Sequence, residues 1–350
     1  MISYQFMEHG KPLQKVISST PQPQGTEVLV RITRAGVCHS DLHIWDGYFE
    51  LGGGKRFYVK DRGCVPPFTL GHEPFGIIEK IGPKVKGVKL GQKRLVFPWI
   101  GCGKCAVCKA GQDNYCVSGT RFLGVNRPGA YATHVLVPHP KYLLDTAGID
   151  DSFAATLACS AVTVYSAVNK LPEIGRSEGV AVLGCGGLGL IAISVLRAKG
   201  VKHIIGCDID DAKLAAAARQ GATKTLNTRA ADAAQSLAGI AGAVDLVGSP
   251  ATAALGIGAL RKGGRYVICG LFGGELVHPL PPIAQRAITI AGSYVGNLQE
   301  LKEVIALAKR KKLRPAPIET RAAERANESL EDLKAGRVVG RVVLDFSHAG

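Results

Sequence analysis

The sequence predicts an α/β protein: a mainly β, barrel-like unit followed by a doubly wound parallel sheet. Three observations predict it. Between Gly179 and Gly292 short apolar runs alternate with helical patterns, as they do where helices cover both faces of a parallel sheet. The first of these runs feeds Gly184-Cys185-Gly186-Gly187-Leu188-Gly189, a G-x-G-x-x-G turn that opens a helix. Before residue 150 the chain is instead rich in Gly and Pro, with strand-like runs at Val28 to Val37, Phe75 to Ile81 and Ala130 to Val137.

With 350 residues, 46% of them hydrophobic, the chain is long enough for about two globular domains. No charge-free apolar stretch of about 18 residues is evident, so no membrane-spanning helix is expected. Met1 to Leu13 has no signal-peptide core, and the protein is read as unexported and cytoplasmic. The net charge of +15 is dispersed, with one dense run, Lys309-Arg310-Lys311-Lys312, at the end of a helical pattern where it suits the helix dipole. Neither a membrane nor a nucleic-acid partner is expected. Ten cysteines in an unexported chain point to metal or catalytic roles in place of disulfides.

The Val28 to Val37 strand delivers the run Cys38-His39-Ser40-Asp41-Leu42-His43 at its end, and Gly71-His72-Glu73 launches the Phe75 to Ile81 strand. Side chains at strand ends are held in place by the backbone ladder, which suits a site. Between these runs, Trp45 to Phe68 reads as a loop broken by Gly52-Gly53-Gly54 and Pro66-Pro67. It is either a cover for a pocket or a surface excursion packed by its own aromatics.

Cys102, Cys105, Cys108 and Cys116 follow C-x2-C-x2-C-x7-C. Short spacers let four thiolates converge tetrahedrally on one zinc, and a full set of sulfurs leaves no open position, so the ion is structural. An iron–sulfur cluster is the alternative, although the tail lacks the usual Cys-Pro.

Phe153 to Lys170 reads as a helix with Cys159 and Thr163 on one face. Taken alone, Cys159 is an apolar filler. The strand Gly179 to Leu183 and the helix after Gly189 put the glycine run in the context of a pyrophosphate site, where glycines admit a close backbone and the helix N-terminus donates amides. The strand His203 to Cys207 ends in Asp208, whose carboxylate suits ribose hydroxyls and repels a 2′-phosphate, favouring NAD over NADP. Lys213 either reaches the same ribose or is a plain surface lysine. Cys185, Cys207 and Cys269 read as inert core residues. The last segment is too small for a third domain. The expected organisation is residues 1–152 as the first part of the catalytic domain, 153–292 as the cofactor domain, and 293–350 returning to the first, with a frayed tail at 347–350.

Together the motifs CHSDLH, GHEPFG, GCGKCAVCKAGQDNYC, CSAVTVY, GCGGLG and the GRVVLDF end resemble the zinc-dependent medium-chain alcohol dehydrogenases over nearly the full length. The resemblance implies a GroES-like catalytic domain, a Rossmann domain, an active site in the cleft between them, and dimers or tetramers joined mainly through Rossmann sheet edges. Carried over by position, Cys38, His72 and Cys159 match the ligands of a catalytic zinc, Glu73 the acid beside it, and Asp41 the partner of the ligand histidine. Ser40 matches the hydroxyl that takes the alcohol proton and His43 the relay base. His39 and Arg341 match phosphate contacts, Thr163 a nicotinamide contact, and Val295 a backbone contact to the carboxamide.

The implied reaction is reversible hydride transfer between an alcohol and NAD, with two zinc ions per chain. Polyol dehydrogenases of the superfamily place a glutamate where Cys159 stands, which disfavours a sugar alcohol. The segment between Cys38 and His72 is longer than in compact bacterial members. Trp45, Phe49, Phe97 and Trp99 are the apolar candidates for the substrate pocket and point to a medium-sized apolar or aromatic alcohol. The same chemistry on a hydroxy acid, a hydroxyacyl thioester or a formaldehyde adduct is the alternative. A basic zinc protein bound to nucleic acid is a remote one, since it leaves the glycine run and CHSDLH unexplained.

Overall fold

Two sheets carry the fold, which the computed structural model describes over residues 1–349. The Val28–Val37 strand is the centre of the first. Pro74–Ile81 pairs antiparallel on one side of it and Arg341–Asp345 on the other, with Ile318–Ala322 beyond. Lys93–Val96 and Leu143–Leu144 extend the first side, and His134–Val137 pairs with residues 28–31. Partners on both edges leave little of the central strand to solvent, so along it only Arg31 and Arg34 are even partly exposed. The strand expected from Ala130 begins only at His134. The backbone of 129–131 is taken instead by residues 69–71, with Gly129 donating to Thr69 O and Tyr131 to Leu70 O.

The second sheet is six parallel strands in the order Lys224–Asn227, His203–Asp208, Gly179–Leu183, Ile240–Asp245, Leu260–Ile268, Thr289–Gly292. The strand order reverses beside Gly179–Leu183, and the crevice at that reversal is where such sheets hold ligands. The expected alternation therefore forms, and the edge strand Lys224–Asn227 is one that the sequence reading did not assign.

Two expectations are corrected. Trp45 to Phe68 is not a plain loop: Tyr48–Gly52 and Lys55–Tyr58 pair as an antiparallel hairpin. The glycines read as breakers make its turn, with positive φ at Gly52, Gly53 and Gly54 (88°, 55° and 74°). Asp151–Asn169 does reach the length and apolar content of a membrane span, but 89% of it is buried inside the protein, as a core helix would be. Within it Leu157–Ala161 forms a π turn that carries Cys159. Such turns are rare and gather at functional sites. Of the tail expected to fray, Ser347–Ala349 turns back so that Ala349 N donates to Phe346 O, and Gly350 lies outside the described residues.

Candidate active site

Asp41 organises the first cluster. It lies in the first turn of the His39–Asp46 helix, for which Cys38 is the N-terminal cap. Its wholly buried carboxylate accepts from Cys38 N (3.0 Å), Gly71 N (3.3 Å), Tyr131 Oη (3.2 Å) and His72 Nδ1 (3.0 Å). A carboxylate is kept in the interior only when its lone pairs are met in this way. Since Nδ1 donates to Asp41, Nε2 of His72 carries the free lone pair, and that atom is buried without a partner.

The ligand atoms of Cys38, His72, Glu73 and Cys159 lie within 4.8 Å of one another. A hydrogen bond with Cys159 holds the Cys38 thiol well below its ordinary pKa against the opposing effect of burial. Thiolate is the form that binds metal. Burial pushes the Glu73 carboxyl up to about 7, opposed by Arg341. Arg341 Nη2 donates to both Glu73 oxygens (2.7 and 2.6 Å). A Cβ on Gly36 would come within 1.8 Å of Glu73 Oε2, so the central strand needs glycine there. Two sulfurs, an orphaned imidazole nitrogen and a carboxylate are a donor set that fits zinc.

Ser40 and His43 lie three apart on the same short helix, hence on neighbouring positions of one face. The His43 ring stacks on Phe49 at 4.7 Å. Desolvation lowers its pKa first, and the field of His39 lowers it further. His39 is reached by solvent yet crowded in the cleft. Desolvation lowers its pKa most, with Arg341 and Lys213 adding to it.

The glycine run divides its work. Gly184 turns at φ 91°, where a Cβ would meet Val247 at 2.7 Å, and a Cβ on Gly189 would fall 2.0 Å from Gly184 O, so helix and strand close on each other. A Cβ on Gly186 would meet nothing within 4 Å. That opening, at the cap of the Gly187–Ala198 helix with Leu188 in its first turn, is a cradle of pyrophosphate type. Gly187 packs on the Arg341 side chain. Asp208 accepts from Cys185 N (2.7 Å) and Ile209 N (2.8 Å), which fixes its carboxylate beside the glycine turn. Three features face groups that the polypeptide does not supply. Thr163 Oγ1 is buried without a partner, as are Nε and Nη1 of Arg341. Val295, β-branched, holds a strained φ of 41°. A bound dinucleotide would supply partners for the Thr163 and Arg341 atoms, so these residues fit one.

The four cysteines of 102–116 also converge within 4.8 Å. Backbone N–H groups of Lys104 and Cys105 point at Cys102 Sγ (3.4 and 3.3 Å), and this lowers its pKa to about 6. Gly101 is required because a Cβ there would sit 2.5 Å from Cys108 Sγ. Cys185, Cys207 and Cys269 are pushed up mainly by burial, the last two to about 12, which makes them poor nucleophiles.

The four pocket candidates separate. Trp99 packs on the His72 ring at 5.5 Å and donates to Ala158 O in the π turn, and Phe49 lies beside His43. Trp45 does not line the site: its buried indole N–H needs an acceptor and finds Lys11 O, and Lys334 lies over its ring. Phe97 is wholly buried, stacked on Tyr142, and belongs to the core. Sequence reasoning missed Phe122 and Tyr294. They pack edge-on against Trp99 at 5.5 and 6.3 Å and line a cavity of about 860 Å³ with Arg62 and Arg127. Tyr294 stands next to Val295, which was the available signal.

A two-lobed protein with a glycine-rich dinucleotide crevice facing a buried thiol–imidazole cluster is, by class, a nicotinamide-dependent metallo-oxidoreductase. Comparison with known proteins makes this specific. Residues 24–146 match the alcohol dehydrogenase GroES-like domain and residues 187–310 the zinc-binding dehydrogenase domain. The NAD-dependent alcohol dehydrogenase of Sulfurisphaera tokodaii is 38% identical over 98% of this chain and 99% of its own. Among solved structures, the alcohol dehydrogenase of Aeropyrum pernix superposes with a TM-score of 0.90 at 32% identity, over 99% of this chain and 100% of that one. The acetophenone reductase of Geotrichum candidum, in complex with NAD, does so at 0.87 and 28%, over 99% and 98%. The chain belongs to the zinc-dependent medium-chain alcohol dehydrogenase family. It is an enzyme that uses zinc and NAD to interconvert an alcohol and its aldehyde or ketone.

Proposed function

We propose that Cys38, His72 and Cys159 hold the catalytic zinc with Glu73 beside it, that Cys102, Cys105, Cys108 and Cys116 hold the structural one, and that the substrate is a medium-sized apolar or aromatic alcohol or its carbonyl product. The buried, unpartnered Nε2 of His72 among two sulfurs carries the ligand assignment. When bound, zinc supplies a Lewis acid for the substrate oxygen and NAD the hydride acceptor. The chain does the rest. Asp41 fixes the tautomer and orientation of His72. Ser40 takes the proton of the alcohol and passes it towards His43, which releases it to solvent. A lowered pKa keeps His43 unprotonated, and thus able to accept, at neutral pH.

Asp208 takes the adenosine ribose hydroxyls, with Lys213 at their side. His39, Arg341 and the amides of Gly186, Gly187 and Leu188 take the pyrophosphate, Gly184 and Gly189 shaping the turn. Thr163 lies against the nicotinamide and the Val295 backbone takes its carboxamide. The division 1–152, 153–292 and 293–350 is supported by Arg341–Asp345 and Ile318–Ala322 joining the first sheet. A dimer or tetramer is supported by the position of Thr289–Gly292 at the edge of the second sheet and by exposed Phe272, Val277 and Leu280 nearby. The proposed location is the cytoplasm, with no nucleic-acid or membrane partner.

The aromatic group Trp99, Phe122 and Tyr294 supports the substrate class, as does likeness to an enzyme named for an aryl ketone. A second reading, an anionic hydroxy acid or acyl thioester, draws on Arg62 and Arg127, which with Asp61 line a cavity beside Phe122 and Tyr294. A panel of alcohols followed by NADH absorbance decides. The highest kcat/KM is expected for 1-phenylethanol and medium-chain secondary alcohols over ethanol; a clear preference for a hydroxy acid would overturn the apolar assignment.

A further inference from the structure

The Tyr48–Gly52/Lys55–Tyr58 hairpin touches both sides of the cleft, and apart from Phe49 as a candidate pocket wall it has no role so far. At its base Phe49 lies flat on the His43 ring, with centroids 4.7 Å apart and planes at 27°. Phe49 is backed in register across the hairpin by Phe57, at 6.4 Å, and the Arg62 guanidinium covers Phe57 at 4.5 Å. At its tip the hairpin meets residues 273–275, which follow the fifth strand of the cofactor sheet. The fit there leaves no room for a side chain. A Cβ on Gly52 would lie 2.5 Å from Glu275 Cγ and 2.9 Å from the Gly274 carbonyl carbon, and one on Gly273 would lie 2.5 Å from Glu50 O. Gly274 in turn packs on Pro250, at the start of the Pro250–Ala259 helix. A continuous line of contacts thus runs from the histidine ring, through one hairpin, to the far side of the cleft.

We propose that Phe49 is a positioning residue for His43, and that its hairpin is a strap latched to residues 273–275, so that the relay histidine is set only when the two halves of the cleft are together. This rests on the reading of His43 as the relay base. Stacking on an aromatic face restricts the ring to one plane and keeps water from it. Cys38 and His39 act on His43 from its own helix, and Asp46, at the end of that helix, is paired with Lys334. From the hairpin, Glu50 is held by Arg56. Lys213 faces His39 from the cofactor side. None of these stacks on the ring as Phe49 does, and the pH limb separates that contact from any change Phe49 makes to the pocket wall.

The test compares the pH profile of kcat for alcohol oxidation in zinc-loaded wild type, Phe49→Ala, Phe49→Tyr, Glu275→Ala and His43→Gln, with zinc content and melting temperature as controls for folding. Phe49→Ala lets water reach His43, so its pKa rises towards the ordinary histidine value of about 6.5. The acid limb of kcat moves up in pH with it, and kcat at neutral pH falls about tenfold, within the range of a misoriented acid–base group. Phe49→Tyr restores both. Glu275→Ala, which cuts the latch far from His43, gives a smaller shift in the same direction. Titration of the His43 ring by NMR shows the same displacement independently of turnover. An unmoved limb in Phe49→Ala, in an enzyme whose limb disappears in His43→Gln, overturns the strap while leaving the relay. A limb that survives His43→Gln overturns the relay reading, and the strap with it.

Discussion

Cys102, Cys105, Cys108 and Cys116 come from one short run of chain, whereas Cys38, His72, Glu73 and Cys159 are gathered from a strand end, a turn and a core helix. The first group is partly exposed except for Cys108, and its Cys102 sulfur is met by backbone N–H groups of the same run. The second is buried throughout and hangs on Asp41, Tyr131 and Arg341, which lie far apart in sequence. A local cluster needs only its own loop to form. A dispersed cluster needs the finished fold, so its geometry is as rigid as the core but fails when a distant support fails.

The largest test of this contrast is Cys38→Ser. Turnover is expected to fall to background while NADH fluorescence titration shows unaltered binding; a fully active variant would break the assignment of the dispersed cluster. Asp41 is not itself a proposed metal ligand but holds two of them, accepting from His72 Nδ1 and Cys38 N, and Asp41→Asn weakens that support. Loss of a supporting partner of this kind costs about 10- to 100-fold in activity or metal affinity, measurable by chelator competition. Cys105→Ser addresses the local cluster. Zinc content measured by mass spectrometry is expected to drop from two ions per chain to one and the melting temperature to fall, because a structural zinc contributes folding energy. The folded fraction is expected to keep kcat/KM within about threefold, on the additivity of distant sites. A loss as deep as that of Cys38→Ser would show the two clusters to be coupled.

The test at the cofactor reads a change of preference in place of a loss of metal or turnover. Asp208→Gly should narrow the preference for NAD over NADP by about tenfold, the worth of one charge-assisted hydrogen bond. Equal ratios of kcat/KM in mutant and wild type would remove Asp208 from the ribose. Since Asp208 also accepts from Cys185 N, some loss with both cofactors accompanies the change.

What the sequence disclosed follows the same division. The four-cysteine spacing and the glycine run are local, and their geometry could be read from spacing and from the strand and helix that flank them. Cys159 could not. A cysteine in an apolar helix is ordinary, and neither the π turn that carries it nor its nearness to Cys38 is written in the local pattern. Its role was legible only through resemblance to a family. Trp45 and Phe97 were misplaced for a related reason. Aromatic character says that a ring will be buried, but only the neighbours decide whether it faces a cleft or the core, and Lys11 with Lys334, and Tyr142, decided these two. The hairpin was missed because three glycines in a row signal a break, and their positive φ angles are what close a tight reversal.

The contact of Arg341 with Glu73 ties the last strand of the polypeptide to the centre of the molecule. The two residues lie 268 positions apart in the chain. The four-cysteine knuckle can therefore form from one short run of chain, whereas the reactive centre stays unfinished until Arg341 has been made. A chain still short of Arg341 is thus expected to be inert, a built-in delay between translation and redox activity.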